Sequence, residues 1–190
     1  MIIDFLSHLD TSLFYFLNVQ LANPVFDRIM PVLTATGNLR LAALPAGLFW
    51  LWKGGNKGRW AVLYAAVAWS ASDLFNSNLI KSLFERPRPC LTLPDVHLLV
   101  GCGQTFSFPS GHAVTSFALA VFLTLVYPRT KWVLFPVAFL VSYSRIAVGV
   151  HYPFDTLAGM VEGALFGYLF YRLFLTQQNF WRRRAWRGYW

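Results

Sequence analysis

Charge is what this chain has little of. Only 13% of its 190 residues are Asp, Glu, Lys or Arg, against about 25% in a soluble domain. Acidic residues are the scarcer sign, eight against 16 Lys and Arg, for a formal net charge of +8. Two cysteines, Cys90 and Cys102, are too few for a disulfide scaffold, and no CxxC or Cys/His set points to zinc. In an oxidising compartment the two can close one small ring, worth about 3 kcal/mol by chain entropy; otherwise they remain free thiols. No basic stripe lies on a soluble element, so nucleic acid is not an expected partner. No cleavable signal peptide is expected either: the first 20 residues lack a basic start and are broken by Asp4, His8 and Asp10.

What is abundant is apolar surface, 56% of residues with a mean hydropathy of +0.47. Five segments are long and apolar enough to cross a bilayer with some tilt: 38–52, 60–80, 111–127, 132–148 and 156–175. The basic residues outside the polar motifs fall on alternate connections. Lys53, Lys57 and Arg59 share a side with Arg129, Lys131 and the tail Arg182, Arg183, Arg184 and Arg187. The positive-inside rule puts that side, and the C-terminal tail, in the cytoplasm. Residues 1–36 are apolar but interrupted by Asn18, Gln20, Asn23-Pro24, Asp27 and Arg28. They read either as a sixth, broken span or as two short amphipathic helices at the outer interface, with a turn at Asn23-Pro24.

Three polar clusters interrupt the apolar chain, all on the outward side. They are Lys81-Ser-Leu-Phe-Glu-Arg-Pro-Arg88-Pro89, Pro109-Ser110-Gly111-His112, and Ser144-Arg145 followed by His151 and Asp155. Taken singly, each has an ordinary explanation. A cation at a span end snorkels to the headgroups, a histidine near a helix end caps it, and Pro-Ser-Gly makes a turn and an N-cap. Taken together they hold what phosphoryl transfer needs, which is mainly positioning plus cations and N–H donors. Lys81 offers a point charge, and Arg88 and Arg145 offer planar forks for phosphate oxygens. The backbone N–H groups of Ser110-Gly111, at a helix start, can also face an anion. Pro87 and Pro89 hold the Arg88 segment away from helix. Asp155, four residues after His151, can fix that ring's tautomer and leave its other nitrogen free as a nucleophile. His112 can give a proton to the leaving oxygen and later take one from water. No metal-ligand set is evident and the arginines would repel a cation, so neither metal nor other cofactor is expected. Ser70, Asp73, Ser77 and Lys81, spaced three, four and four apart, are expected on one helical face. Asp73 and Glu162 read as a structural network under the pocket rather than as catalysts.

These motifs resemble those of the type 2 phosphatidic acid phosphatase superfamily. Its three-part signature is Lys-x6-Arg-Pro, Pro-Ser-Gly-His and Ser-Arg-x5-His-x3-Asp, and Lys81 to Pro89, Pro109 to His112 and Ser144 to Asp155 match it with the same spacings. The resemblance implies a helical bundle, and with the spans read above the expected fold is an all-α integral membrane bundle of five or six transmembrane helices with an N-terminal amphipathic segment. The N-terminus is where this chain departs from many relatives, which have a clear first span. Residues 1–190 would form one domain with its motif-bearing core at about 60–175. It also implies metal-independent dephosphorylation of a membrane lipid phosphate or diphosphate through a phosphohistidine. Lys81, Arg88, Ser110, Gly111 and Arg145 would bind phosphate, with His112 as acid and base, His151 as nucleophile and Asp155 as its partner. The expected place is the bacterial inner membrane, with the site facing the periplasm and no obligate protein partner. Candidate substrates are undecaprenyl diphosphate, phosphatidylglycerophosphate, phosphatidic acid and the lipid A 1-phosphate. A lipid-to-lipid phosphotransferase and a non-enzymatic lipid-phosphate binder are the competing readings. Vanadium haloperoxidases share a similar anion site but are soluble.

Overall fold

Local sequence sets the helix ends. Asn23 caps a helix by accepting from the Val25 and Phe26 amides at 3.1 and 3.0 Å, and Pro24 follows at the first helical position, where a missing N–H costs nothing. The computed structural model describes residues 1–187; residues 188–190, the end of the tail expected in the cytoplasm, lie outside the described residues. The helices are α1 (Ile2–Tyr15, prolonged by a π turn at Phe16–Gln20), α2 (Pro24–Thr34), α3 (Thr36–Lys53), α4 (Gly55–Phe75), α5 (Lys81–Phe84), α6 (Pro89–Thr92), α7 (Gly111–Val126), α8 (Lys131–Ala147) and α9 (Pro153–Arg187). A second π turn, Asn76–Ile80, joins α4 to α5. The described residues contain no strand.

The bundle is built around α7, which packs against α9 and is flanked by α8 and α4. The α7–α9 seam is close because α9 turns Gly159, Gly163 and Gly167 toward it. A Cβ on Gly163 would lie 2.1 Å from the Val114 carbonyl oxygen, so only hydrogen fits there. Small residues at every fourth position are a common way for apolar helices to approach. Buried positions are largely small or polar, such as Ala61, Ala68, Ser72, Ala118, Ser142 and Ser144. Large apolar side chains point outward instead, among them Leu48, Trp52, Leu63, Trp132, Val133 and Leu165.

Each of the five apolar runs is helical, and all lie near the expected bounds except the last, whose helix α9 continues well past residue 175 to Arg187. No described helix, however, is long and apolar enough to cross a membrane. Helices α7 and α8 have 16 and 17 residues, short of the roughly 20 that a 30 Å core takes. The longer α4 and α9 carry ionisable residues, Asp73 in one and Glu162 and Arg172 in the other.

The π turn corrects one expectation. Ser70 and Ser77 are exposed, and the buried face of α4 to α5 runs through Ala68, Ser72, Asn76 and Lys81. The last step is five residues because a π turn holds one residue more than an α turn. Beneath the cluster Asn76 donates to Glu162 at 3.0 Å, which makes Glu162 a network residue.

The N-terminal 34 residues form two short helices broken at Asn23-Pro24. Buried Asn18 reaches the Ile146 and Ala147 carbonyls at 3.1 and 2.9 Å, satisfying open acceptors at the end of α8. Its side-chain oxygen accepts from the His97 amide at 2.9 Å. The segment is thereby pinned at the end of the bundle that carries the polar clusters.

Candidate active site

Four elements bring the clusters together. The helix α5 starts with Lys81 and ends at Glu85, whose φ of 44° turns the chain sharply. Arg88 follows in extended backbone, and Pro89, instead of prolonging that extension, opens α6 as its first residue. Ser110 and His112 stand at the start of α7, Arg145 in the last turn of α8, and Asp155 in the first turn of α9. Between α8 and α9, Gly149 adopts φ +85°, and a side chain there would meet Val96 and the His97 carbonyl at 2.8 and 2.9 Å. This turn delivers His151 to the interior, where it is 2% exposed.

His151 is held on both ring nitrogens. Arg88 Nη1 lies 3.3 Å from Nε2, and since a guanidinium only donates, Nε2 carries the lone pair. Nδ1 therefore carries the proton, 3.3 Å from Ser107 Oγ and 3.5 Å from Asp155 Oδ2. Ser107 stands between them and donates to Asp155 Oδ2. The expected His–Asp pair is thus completed by a serine from the long loop. Burial, then the nearby Arg145 and Arg88 cations, push His151 down to about 3 against the pull of Asp155. It is neutral at pH 7, as a nucleophile must be. Burial alone would raise Asp155, but His151, Arg86 and Ser107 outweigh it and hold the carboxyl below the usual carboxylate range.

The anion-binding groups converge here too. Lys81 is 7% exposed and donates to the Phe106 carbonyl at 2.6 Å. Burial, with Arg88 and Arg145 nearby, lowers it to about 8. Arg88 bonds the Thr105 carbonyl at 2.7 Å, the Thr105 hydroxyl at 3.0 Å and the Val150 carbonyl at 3.1 Å. Burial lowers its pKa, with Asp155 opposing. Arg145 donates to the Thr34 hydroxyl. The Thr34 carbonyl lies 3.0 Å from His112 Nε2, and because a carbonyl only accepts, Nε2 is the protonated nitrogen of His112.

Among the described residues, two buried donors of this cluster have no partner, the Ser110 hydroxyl and Arg145 Nε. Buried polar atoms are nearly always bonded, so these two mark a place for oxygen acceptors. The Ser110 amide is not among the available donors, because it is bonded to the Asp155 carbonyl at 2.9 Å. The hydroxyl, rather than the expected amide, is the group Ser110 can offer.

Several members were absent from the sequence reading. Arg86 donates to Asp155 Oδ1 at 2.8 Å and to Asp10 Oδ2 at 2.7 Å. Thr34, Thr105 and Ser107 line the cluster from segments without a motif. The signal for Asp10 and Arg86 was charge beside apolar sequence, which needs a partner when buried. The cysteines are joined, Cys90 to Cys102, and the bridge closes a ring that ends just before Thr105 and Ser107.

The PAP2 superfamily model matches residues 42–179, which include all eight expected site residues. Over 180 residues the chain is 33% identical to the lipid A 4′-phosphatase of Bacteroides thetaiotaomicron, covering 89% of this chain and 78% of that protein. It is 35% identical over 152 residues to the undecaprenyl-diphosphatase BcrC of Bacillus subtilis, covering 79% and 76%. The fold is similar to the crystal structure of Aquifex aeolicus LpxE, with a TM-score of 0.71 and 28% identity, covering 86% of this chain and 95% of that one.

Proposed function

This chain belongs to the PAP2 superfamily, and from that premise we propose that it hydrolyses a membrane lipid phosphate or diphosphate through a phosphohistidine on His151. The observation that carries this reading is the pair of unpartnered buried donors, Ser110 Oγ and Arg145 Nε, set among cations beside a neutral histidine. Relatives named as undecaprenyl-diphosphatase and lipid A phosphatases support a lipid phosphate as the substrate class.

The geometry supports the following sequence. Lys81, Arg88, Arg145 and the Ser110 hydroxyl take the phosphate oxygens, with the Gly111 amide at the start of α7 as a further donor. His151 Nε2 attacks phosphorus as the bond to the lipid oxygen breaks. The Nδ1 proton stays between Ser107 and Asp155, whose charge steadies the cation that forms on the ring. Protonated His112, its Nε2–H kept on the Thr34 carbonyl, gives its Nδ1 proton to the departing oxygen, then takes one back at Nδ1 from the water that attacks the phosphohistidine, so inorganic phosphate and free His151 are returned. The cations would repel a divalent metal, so catalysis is assigned to these side chains alone.

Two observations support a membrane site facing an oxidising space. Many large apolar side chains face outward while most buried positions, Phe14, Phe117, Phe122 and Phe174 apart, are small or polar, as suits lipid surroundings. The Cys90–Cys102 bridge lies in the loop over the site, and such bridges persist in the periplasm but not in the cytosol. We place the protein in the bacterial inner membrane with this site periplasmic, the basic tail cytoplasmic and residues 1–190 working as one domain. The N-terminal helices lie at the outer interface and cover the pocket.

Phosphate release by the purified protein in detergent tests this. Undecaprenyl diphosphate, phosphatidylglycerophosphate, phosphatidic acid and lipid A 1-phosphate form the panel. Turnover of at least one lipid in EDTA, with an alkali-quenched label that is base-stable, acid-labile and lost in His151→Ala, is expected. Activity that vanishes in EDTA and returns with Mg²⁺ refutes the metal-free chemistry.

A further inference from the structure

Arg86 and Asp10 have no role in the scheme above, yet they adjoin its nucleophile. Arg86 divides its guanidinium between two carboxylates, Asp155 Oδ1 at 2.8 Å and Asp10 Oδ2 at 2.7 Å. Both carboxylates are almost wholly buried, at 0% and 1% exposure. The other Asp10 oxygen accepts from the Phe154 amide at 2.8 Å, beside Asp155 in the first turn of α9. The Arg86 guanidinium also lies over the Tyr152 ring, 3.9 Å from its centre. Asp10 belongs to α1, outside the stretch of chain that the family model matches.

We propose that Arg86 and Asp10 are positioning residues for His151, forming a chain Asp10–Arg86–Asp155–His151 that holds Asp155 ionised and fixed in direction. The inference rests on His151 being the nucleophile. A carboxylate buried beside a neutral imidazole needs a cation to remain charged, and Arg86 is the one bonded to it. A lone arginine would serve Asp155 with both arms; Asp10 claims one, leaving Asp155 Oδ2 to Ser107 and the Tyr152 amide. Asp10 thus tempers the cation and sets which oxygen faces the ring. The other charged groups around the pair are Arg88 and Arg145, both facing His151, and Lys81. None of these contacts Asp10 in a bond described above.

The two residues carry opposite charges, so they move proton affinity in opposite directions. Removing Arg86 takes away a positive charge, so the His151–Asp155 pair holds protons more tightly and the acid limb of kcat moves up in pH. Removing the charge of Asp10 moves it down. A merely structural pair would loosen the site in the same way from either side.

The experiment compares wild type, Arg86→Gln, Asp10→Asn and the double variant in detergent, reading kcat, KM and the acid limb on the most active lipid of the panel. Arg86→Gln is expected to lower kcat about 10–100-fold, the range for outer partners that orient a catalytic ligand, with KM within about twofold. Its acid limb should rise toward neutrality, and adding Asp10→Asn should bring it back down. An unmoved limb in Arg86→Gln, a rise in Asp10→Asn alone, or a loss confined to KM overturns the proposal. If Arg86→Gln does not fold, Arg86→Lys replaces it, and a raised limb despite the retained charge overturns the proposal. The same variants are titrated by NMR of ¹⁵N-labelled histidine, with the His151 signal assigned by His151→Asn. That readout needs no turnover. A protein that hydrolyses nothing but shows the opposed His151 shifts refutes the function and keeps this coupling, whereas active protein with unmoved shifts does the reverse.

Discussion

Gly163→Ala is the smallest change that tests whether the α7–α9 seam holds the site together. The added methyl would sit 2.1 Å from the Val114 carbonyl oxygen, 2.9 Å from its carbon and 3.0 Å from the Ala118 amide nitrogen. All three are backbone atoms of α7, so no rotamer change relieves the contact. Ordinary packing distances then require the helices to part by roughly 1 Å. Overpacking of this kind costs about 1–3 kcal/mol. The kinetic effect is larger than that cost suggests. Asp155 lies two turns before Gly163, about 12 Å along α9, and the Asp155 carbonyl receives the Ser110 amide at 2.9 Å. Parting the helices pulls Asp155 and His151 away from His112 and Ser110, and a 1 Å misplacement of catalytic groups costs about 10²-fold in rate. The assay is thermal unfolding by tryptophan fluorescence together with kcat in detergent. Gly47→Ala is the control, because nothing lies within 4 Å of a Cβ there; in a helix it should gain up to about 1 kcal/mol. If Gly163→Ala melts and turns over like wild type, or Gly47→Ala does equal damage, the seam does not set the site.

Lys81 gives a pH test. Its ammonium, lowered to about 8, is charged below that pH and loses its proton as pH rises through it, so kcat/KM should fall above about pH 8. Lys81→Arg should carry that limb beyond pH 10, and an unchanged limb would show that another group titrates. The two histidines should separate by leaving group. His112→Ala is expected to lose about 10²–10⁴-fold on lipid yet still label with p-nitrophenyl phosphate, whose phenol leaves with little protonation; a variant that never labels, beside His151→Ala that does, exchanges their roles. For orientation, an alkaline phosphatase reporter fused after Trp190 should be silent and one near Val100 active, and the reverse pattern would turn the proposed topology over.

The parts of the site legible in the sequence were those bound to one another by spacing. Lys81 and Arg88, Ser110 and His112, and Arg145, His151 and Asp155 each lie within one short segment, so local geometry is enough to group them. The helices α7 and α8 were equally legible, since Ser110-Gly111 and Pro128 interrupt long apolar runs. The polar face of α4 was misjudged because a π turn shifts the phase of everything after Asn76, and regular 3.6-residue counting does not reveal it. The glycines of α9 stood in plain view at four-residue spacing, but which helix they admit is a tertiary fact.

Asp10 shows where local reading ends and what can replace it. An aspartate among leucines and phenylalanines is costly to bury unless a cation meets it, so the residue itself demanded a partner. The chain contains 16 Lys and Arg, and nothing local to Asp10 says which of them answers. Arg86 does so because the φ of Glu85 turns the chain and Pro87 and Pro89 hold the short Arg86–Arg88 stretch, aiming neighbouring arginines at different partners. Arg88 goes to the nucleophile's ring and Arg86 to the carboxylates behind it. The same five residues that carry the phosphate-binding arginine therefore also carry the tie between the N-terminal helix and the nucleophile. A polar residue stranded in an apolar segment is, by this logic, a contact whose other end remains to be found, and Asn18 and Thr34 obey it as Asp10 does.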